Sequence, residues 1–389
     1  MTETADVIII GAGVQGASLA FHLAERGADV VVLERESIAS GATGRSSGFV
    51  RMHYDLRSDA ELAWASFPYF EDWAGRVGSG DCGFVRTGFL HIVAADHAEA
   101  LRANVETHQK LGIDTGVVDA RTVADLVPGI VTDDVTVAAY EPRSGYADPS
   151  STTAGFLAAA RERGARFVQH RRAIAVREES GRISGVEAET GGYAAPVVVD
   201  VAGAWAAEIA ASVGLEVPVQ AWRHDTAFFS LPDGHGPGFP VVIDDPNGIY
   251  FRPEGRGLML VGLEDGNVVG GSPDRPLTVR GASVEEMAER VCRRVPWMAG
   301  GRFQTAHGGQ DGITPDQRAI IGPAGPDGFF LACGFSGTGF KTAPAIGRSL
   351  AEWIIDGSPS TVDLRPYALE RFAAGRPLTG EHPYGALWR

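Results

Sequence analysis

The sequence predicts a mixed α/β fold of two interleaved domains, one organised on a βαβ unit and the other on an antiparallel sheet. Three observations predict it. Residues 6–34, DVIIIGAGVQGASLAFHLAERGADVVVLE, read as strand, glycine turn, helix and strand without interruption. Strand-like segments such as GFLHIVA, TAFFSL, GIYFRP and GLMLVGLE fall into two separate stretches of the chain. Between and after those stretches, α/β character returns, in GYADPSSTTAGFLAAARERGARF and in FFLACG followed by a long helix.

The first unit is the most specific. The apolar run at 7–10 suits a parallel strand buried on both faces. Gly11, Gly13 and Gly16 complete GxGxxG. The first glycine allows a tight turn, the second a close backbone approach to a pyrophosphate, and the third close packing of helix on strand. An Ala-rich helix over 14–25 ends at Gly27, and a strand over 30–33 delivers Glu34. An acid there suits ribose hydroxyls and repels a ribose phosphate. A lone GxGxxG says little, but this one follows a strand, opens a helix and ends on an acid.

Further along, helices are expected near 97–111, 284–295 and 343–355, and a hairpin turns at Ser180–Gly181. Residues 1–78, 145–216 and 307–375 are assigned to the dinucleotide-binding domain, and 79–144 and 217–306 to the antiparallel domain. Residues 376–389 are set apart as a C-terminal tail.

Bulk properties narrow the possibilities. The 389 residues are 44% apolar, and the net charge of −15 would repel nucleic acid. No apolar run reaches membrane-spanning length, and the acidic MTETAD ahead of the first strand is unlike a signal peptide, so a cytoplasmic location is expected. Cys82, Cys292 and Cys333 form no CxxC, which implies neither a disulfide framework nor a metal site.

Two more glycine clusters stand out. SGATGRSSGFVR (40–51) begins just after Glu34, and its small residues suit backbone amides wrapped around a ligand, or else a plain surface loop. GFSGTGFK (334–341) lies between a buried strand and a helix, an arrangement that binds anions. Lys341 and Lys110 are the only lysines. A cation in a helix's first turn opposes the helix dipole, so Lys341 either faces a bound anion or is a solvated surface residue.

With these motifs in place, the chain resembles the FAD-dependent amine and amino-acid oxidoreductases of the D-amino-acid-oxidase family, in the branch of sarcosine oxidase, sarcosine and dimethylglycine dehydrogenases and glycine oxidase. The resemblance runs through GAGVQG, Glu34, SGATGRSSGFVRMHY, GYADP, VVVDVAGAW, GIYFRPEGRGLMLVG, ITPDQRAIIGP and GFSGTGFKTAPAIG. It implies a Rossmann-like FAD-binding domain interleaved with an antiparallel-sheet substrate domain. The residues matching FAD contacts are Gly11, Gly13, Val14, Gln15, Gly16, Glu34 and Arg35, then Thr43, Gly44, Arg45, Ser46 and Ser47 near the flavin. Ala173, Gly203, Trp205, Gly337, Thr338, Gly339, Phe340 and Lys341 complete them. Arg51 and Lys341 match the arginine and lysine that hold a substrate carboxylate, and Tyr250 matches a tyrosine of the substrate pocket.

Three departures qualify the resemblance. Gly309 stands where monomeric sarcosine oxidase has the cysteine that tethers its flavin, so FAD is expected to be noncovalent. Leu260 stands where a lysine helps oxygen react, which favours a dehydrogenase over a rapid oxidase. Glu264 and Asp311 replace a histidine and a tyrosine. They could receive a cationic substrate group or a proton from the amine, or they could face solvent or pair with Arg252 or Arg318.

The implied reaction moves a hydride equivalent from the carbon beside an amine to flavin N5, giving an imine. Its partners would be an amino-acid-like carboxylate substrate and, as electron acceptor, oxygen or a protein or quinone. A FAD-dependent 2-hydroxy-acid dehydrogenase is an alternative reading, and so is an FAD-binding subunit of a multi-subunit sarcosine-oxidase-like complex.

Overall fold

The structure, a computed structural model, describes residues 3–384. Its organising layer is a six-stranded sheet. Arg166–Val168, Val30–Leu33, Val7–Ile10, Val197–Asp200 and Phe329–Cys333 run parallel in that order, and Ile320–Pro323 is antiparallel at the edge. The period of two along a strand explains the continuous apolar run at Val7–Ile10. Val7 and Ile9 enter a core shared with the helices, and Ile8 and Ile10 enter a second core on the opposite face. The helices Val14–Glu25, Pro149–Glu162 and Gly339–Asp356 pack on the first face. A four-stranded sheet, with the expected hairpin of Ala173–Glu179 and Arg182–Ala188, covers the second.

The antiparallel domain is a nine-stranded mixed sheet built from residues 89–141 and 220–313. Its longest strand, Gln220–Ser230, pairs with Leu258–Leu263 on one side and with Arg302–Ile313 on the other. This sheet therefore extends through Ile313, and the end of that strand lies against the turn at 334–338, where Ser336 N–H donates to Gly312 O at 2.9 Å. The helix expected from 343 begins earlier, at Gly339, and carries Pro344 in its second turn. A proline is ordinarily read as a helix start, and here it hides the turn that precedes it. Among the described residues, no helix is long and apolar enough to cross a membrane.

Val14–Glu25 and Gly339–Asp356 cross closely. Ser18 Oγ donates to Ala343 O at 2.8 Å, and Gln15 Nε2 donates to Gly339 O at 2.7 Å. A Cβ added at Gly347 would stand 2.3 Å from Ser18 Oγ and 2.8 Å from the Ser18 carbonyl carbon. Gly347→Ala should therefore push the helices apart and destabilise the fold by about 1–3 kcal/mol, read by urea unfolding, because a packed backbone cannot yield as a side chain can.

Candidate active site

Where the parallel strands end, a cavity of about 640 Å³ opens between the two domains. Gly11 lies in its floor with φ of 116°, a conformation glycine alone adopts easily, and a Cβ there would meet Val201 O at 2.7 Å. Gly16 does not line the cavity. It lies beneath, where a Cβ would collide with Gly11 O at 2.0 Å, so it serves the packing of helix on turn. The 40–51 segment is no loose surface loop. Thr43–Arg45 form a short 3₁₀ turn, Thr43 Oγ1 accepts from Val14 N–H at 3.1 Å, and the Arg45 guanidinium closes back on Ser40 O.

At one end the cavity is lined by Glu34, Arg35, Ala173 and Trp205. Glu34 is buried, its two oxygens accepting from Ala12 N–H and Glu36 N–H at 2.8 Å each, which leaves further lone pairs for a ribose. The Arg35 guanidinium stacks 3.9 Å from the Trp205 ring centroid, and both side chains hydrogen-bond Asp274. Asp274 and its neighbours Pro273, Arg275 and Leu277 also line the cavity. Nothing in the sequence marks this loop, which has no periodicity and reaches the cavity only through the tertiary fold.

At the other end stand Gly337, Gly339, Phe340, Tyr250, His224 and Asp311. Asp311 spends both oxygens on backbone amides, accepting from Gly337 N–H of the glycine turn at 2.7 Å and from its own neighbour Gly312 N–H at 2.8 Å. It lines the wall, and its carboxylate acts as a pin for the backbone. Burial raises its pKa, opposed by those amides and by Lys341. Gly44 and Thr338 sit under the wall, outside the lining, while Val14, Gln15, Ser46, Ser47 and Gly203 are in it.

Arg51 and Lys341 come together directly behind this end. Both lie against the ring of Tyr54, the Arg51 guanidinium at 4.4 Å and the Lys341 ammonium at 5.7 Å from its centroid. Lys341 is 6% exposed, so it is not a solvated surface lysine. Burial and then the charge of Arg51 hold its pKa well below the usual lysine range. Lys341 makes no ion pair with any described residue. Glu264 is also buried, close enough to feel the charge of Arg51, and one of its oxygens has no hydrogen-bond partner among the described residues. Burial, and then Asp245 and Asp244, push its pKa well up, with Arg51 pulling the other way. Arg252 and Arg318 are engaged with other acids: Arg252 with Glu254, and Arg318 with Asp55 and Asp59.

This site defines a dinucleotide-binding protein with buried cations beside the far end of its cavity. Residues 6–353 match the family described as FAD dependent oxidoreductase (DAO), and the chain belongs to that family. It is 28% identical over 96% of its length to mouse sarcosine dehydrogenase, covering 42% of that protein. It is 26% identical over 93% of its length to the 4-methylaminobutanoate oxidase of Paenarthrobacter nicotinovorans, covering 45%. The chain thus spans about two-fifths of the length of the sarcosine dehydrogenases it matches. The L-proline dehydrogenase structure from P. horikoshii superposes with a TM-score of 0.90 at 26% identity, covering 97% of this chain and all of that one.

The residues present fit FAD. The cavity is lined by Glu34 and Ala173, which suit an adenosine, and by Gly337 and Phe340, which suit a flavin; its floor needs glycine at position 11, and buried Gln15 Oε1 has no hydrogen-bond partner among the described residues. Among the described residues, no cluster could hold a metal ion.

Beneath the floor, Asp200 ends the central strand. It is wholly buried, its Oδ1 accepts from Ala202 N–H at 2.9 Å, and its Oδ2 has no partner among the described residues. Burial pushes its pKa up to about 7. A carboxyl raised above its unfolded value stabilises the fold at low pH and loses that contribution as pH rises through the folded value. Asp200→Asn should therefore raise Tm at pH about 8.5 and change it little at pH about 4, measured by calorimetry.

Proposed function

We propose that this chain oxidises the C–N bond of an amino acid or of an N-alkylated or cyclic secondary amino acid, with FAD held noncovalently. The observation that carries this reading is the buried Arg51–Lys341 pair behind the flavin end of the cavity. When bound, FAD supplies the two-electron acceptor. A guanidinium fork and a point charge orient a carboxylate, and an anion seated between them offsets the burial and the Arg51 repulsion that together depress Lys341. The substrates in the relatives' names, sarcosine, 4-methylaminobutanoate and proline, share a carboxylate and a secondary amine. Glu264, held high by burial and by neighbouring acids, accepts either the proton of the substrate amine or a second cationic group.

Two details refine the proposal. Leu260 is 1% exposed and packs among Phe49, Tyr250 and Phe228, so a hydrocarbon fills the position of the oxygen-activating lysine. This supports a dehydrogenase that passes electrons to a protein or quinone acceptor. A Cβ at Gly309 would lie 2.9 Å from His224 Nε2, which leaves no ready room for a tether there. The three free cysteines suit a reducing cytoplasm.

The test is anaerobic flavin bleaching by N-methyl, cyclic secondary, primary and basic amino acids, with 2-hydroxy acids in parallel. Bleaching by an amine-bearing acid is expected, with slow re-oxidation in air; bleaching by hydroxy acids alone contradicts the reading. Arg51→Lys should raise KM on the order of ten- to a hundredfold, because the fork is lost while the charge is kept. Denaturation in acid should release all the flavin into solution, and yellow precipitated protein would contradict noncovalent binding.

A further inference from the structure

The segment Leu378–Tyr384 belongs to neither sheet, yet it is fastened across the chain that carries Arg51. Leu378 N–H donates to Asp316 Oδ2 at 3.0 Å, and Glu381 N–H donates to Asp55 O at 3.0 Å. Glu381 Oε2 accepts from Arg57 N–H at 2.9 Å, and Asn104 Nδ2 donates to His382 O at 2.9 Å. A Cβ at Gly380 would stand 2.5 Å from the Asp55 carboxyl, so the strap lies flush against residues 51–57.

These anchors bring Tyr384, 2% exposed, onto His53. The two side chains hydrogen-bond at 2.8 Å between His53 Nε2 and Tyr384 Oη, and their rings stack 5.9 Å apart at 12°. The His53 carbonyl in turn accepts from Arg51 Nη1. Thus one short chain of contacts runs from the strap to the guanidinium: Tyr384 to His53, and His53 to Arg51.

We infer that the C-terminal strap braces the substrate site and that Tyr384 and His53 are positioning residues, which hold the Arg51 fork in the orientation that receives a carboxylate. The inference rests on the reading of Arg51 as the carboxylate-binding group. A guanidinium that is free to rotate offers its two donors to a carboxylate only part of the time, so a fixed acceptor on one nitrogen is what a bidentate site requires. The other surroundings of His53 are consistent with a fixing role. His91 and His108 meet its ring edge-on at 5.2 and 4.8 Å, His108 Nε2 bonds Tyr54 O, and His91 Nε2 bonds Asp245. Burial, followed by the charges of His108, His91 and Arg51, keeps His53 neutral, so it does not repel the cation it positions.

The experiment uses the full FAD-loaded chain and acetate as a simple carboxylate probe, followed by its perturbation of the flavin absorption band. Tyr384→Ala should weaken acetate by about tenfold, and Tyr384→Phe, which keeps the stack and loses the hydrogen bond, by about threefold. With an amino acid that bleaches the flavin, KM should rise by similar factors while the limiting rate of bleaching stays within about twofold. FAD content and Tm are measured on the same samples. Arg51→Lys is the reference arm. If it weakens acetate and both Tyr384 variants bind acetate as the parent does, the strap has no positioning role and the inference is overturned. If Arg51→Lys itself leaves acetate unaffected, the reading of Arg51 fails, and the inference with it. Should Tyr384→Ala lose FAD, Tyr384→Phe alone decides.

Discussion

Two helices that start hundreds of residues apart in sequence are forced to begin at the same place, and the site depends on that crossing. Val14–Glu25 follows the first strand and Gly339–Asp356 follows the fifth parallel strand of the sheet. Glycine at 347 lets their backbones approach, and Ser18 and Gln15 tie them with hydrogen bonds to Ala343 O and Gly339 O. Neither helix has an acidic residue in its first turn. Two positive dipole ends therefore point toward one cavity, which is where an anionic dinucleotide is best placed. The strand Arg302–Ile313 adds the remaining constraint. It carries Asp311 from the antiparallel sheet to the Gly337 amide, so the domain that shapes the substrate side also sets the turn that opens the second helix.

Around that frame the protein buries charges that would be costly alone. Arg51, Lys341 and Glu264 are each under a tenth exposed. Burial opposes the charge of Lys341 and of Glu264, and the charge of Arg51 further disfavours the Lys341 ammonium. In the proposed function a substrate carboxylate answers the two cations and an amine or its proton answers Glu264, which requires no strong general base at the reacting carbon.

Much of this was legible in the sequence, for physical reasons that differ from part to part. The strand–glycine–helix unit at 7–25 is local: its apolar run, its glycine spacing and its acid at 34 each follow from short-range geometry, and the structure has them in the same places. Lys341 drew notice as one of only two lysines and as a cation placed against a helix dipole. Its partnership with Arg51 came through family resemblance, since nothing local joins two residues so far apart. Asp311 lines the wall, and its acceptance from the Gly337 amide depends on a register between two distant segments, which no pattern in the sequence encodes. The loop around Asp274 and the strap ending at Tyr384 were illegible for the same reason. Each is short, irregular and defined only by what it lies against.

The central claim is that a substrate carboxylate sits between Arg51 and Lys341. The most direct measurement is a crystal structure of the FAD-loaded protein, grown anaerobically with an amino acid that bleaches it. The account predicts carboxylate oxygens within hydrogen-bond distance of both the Arg51 guanidinium and the Lys341 ammonium, with the amine toward Glu264. A carboxylate bound elsewhere, with Arg51 and Lys341 still facing only protein, would contradict it.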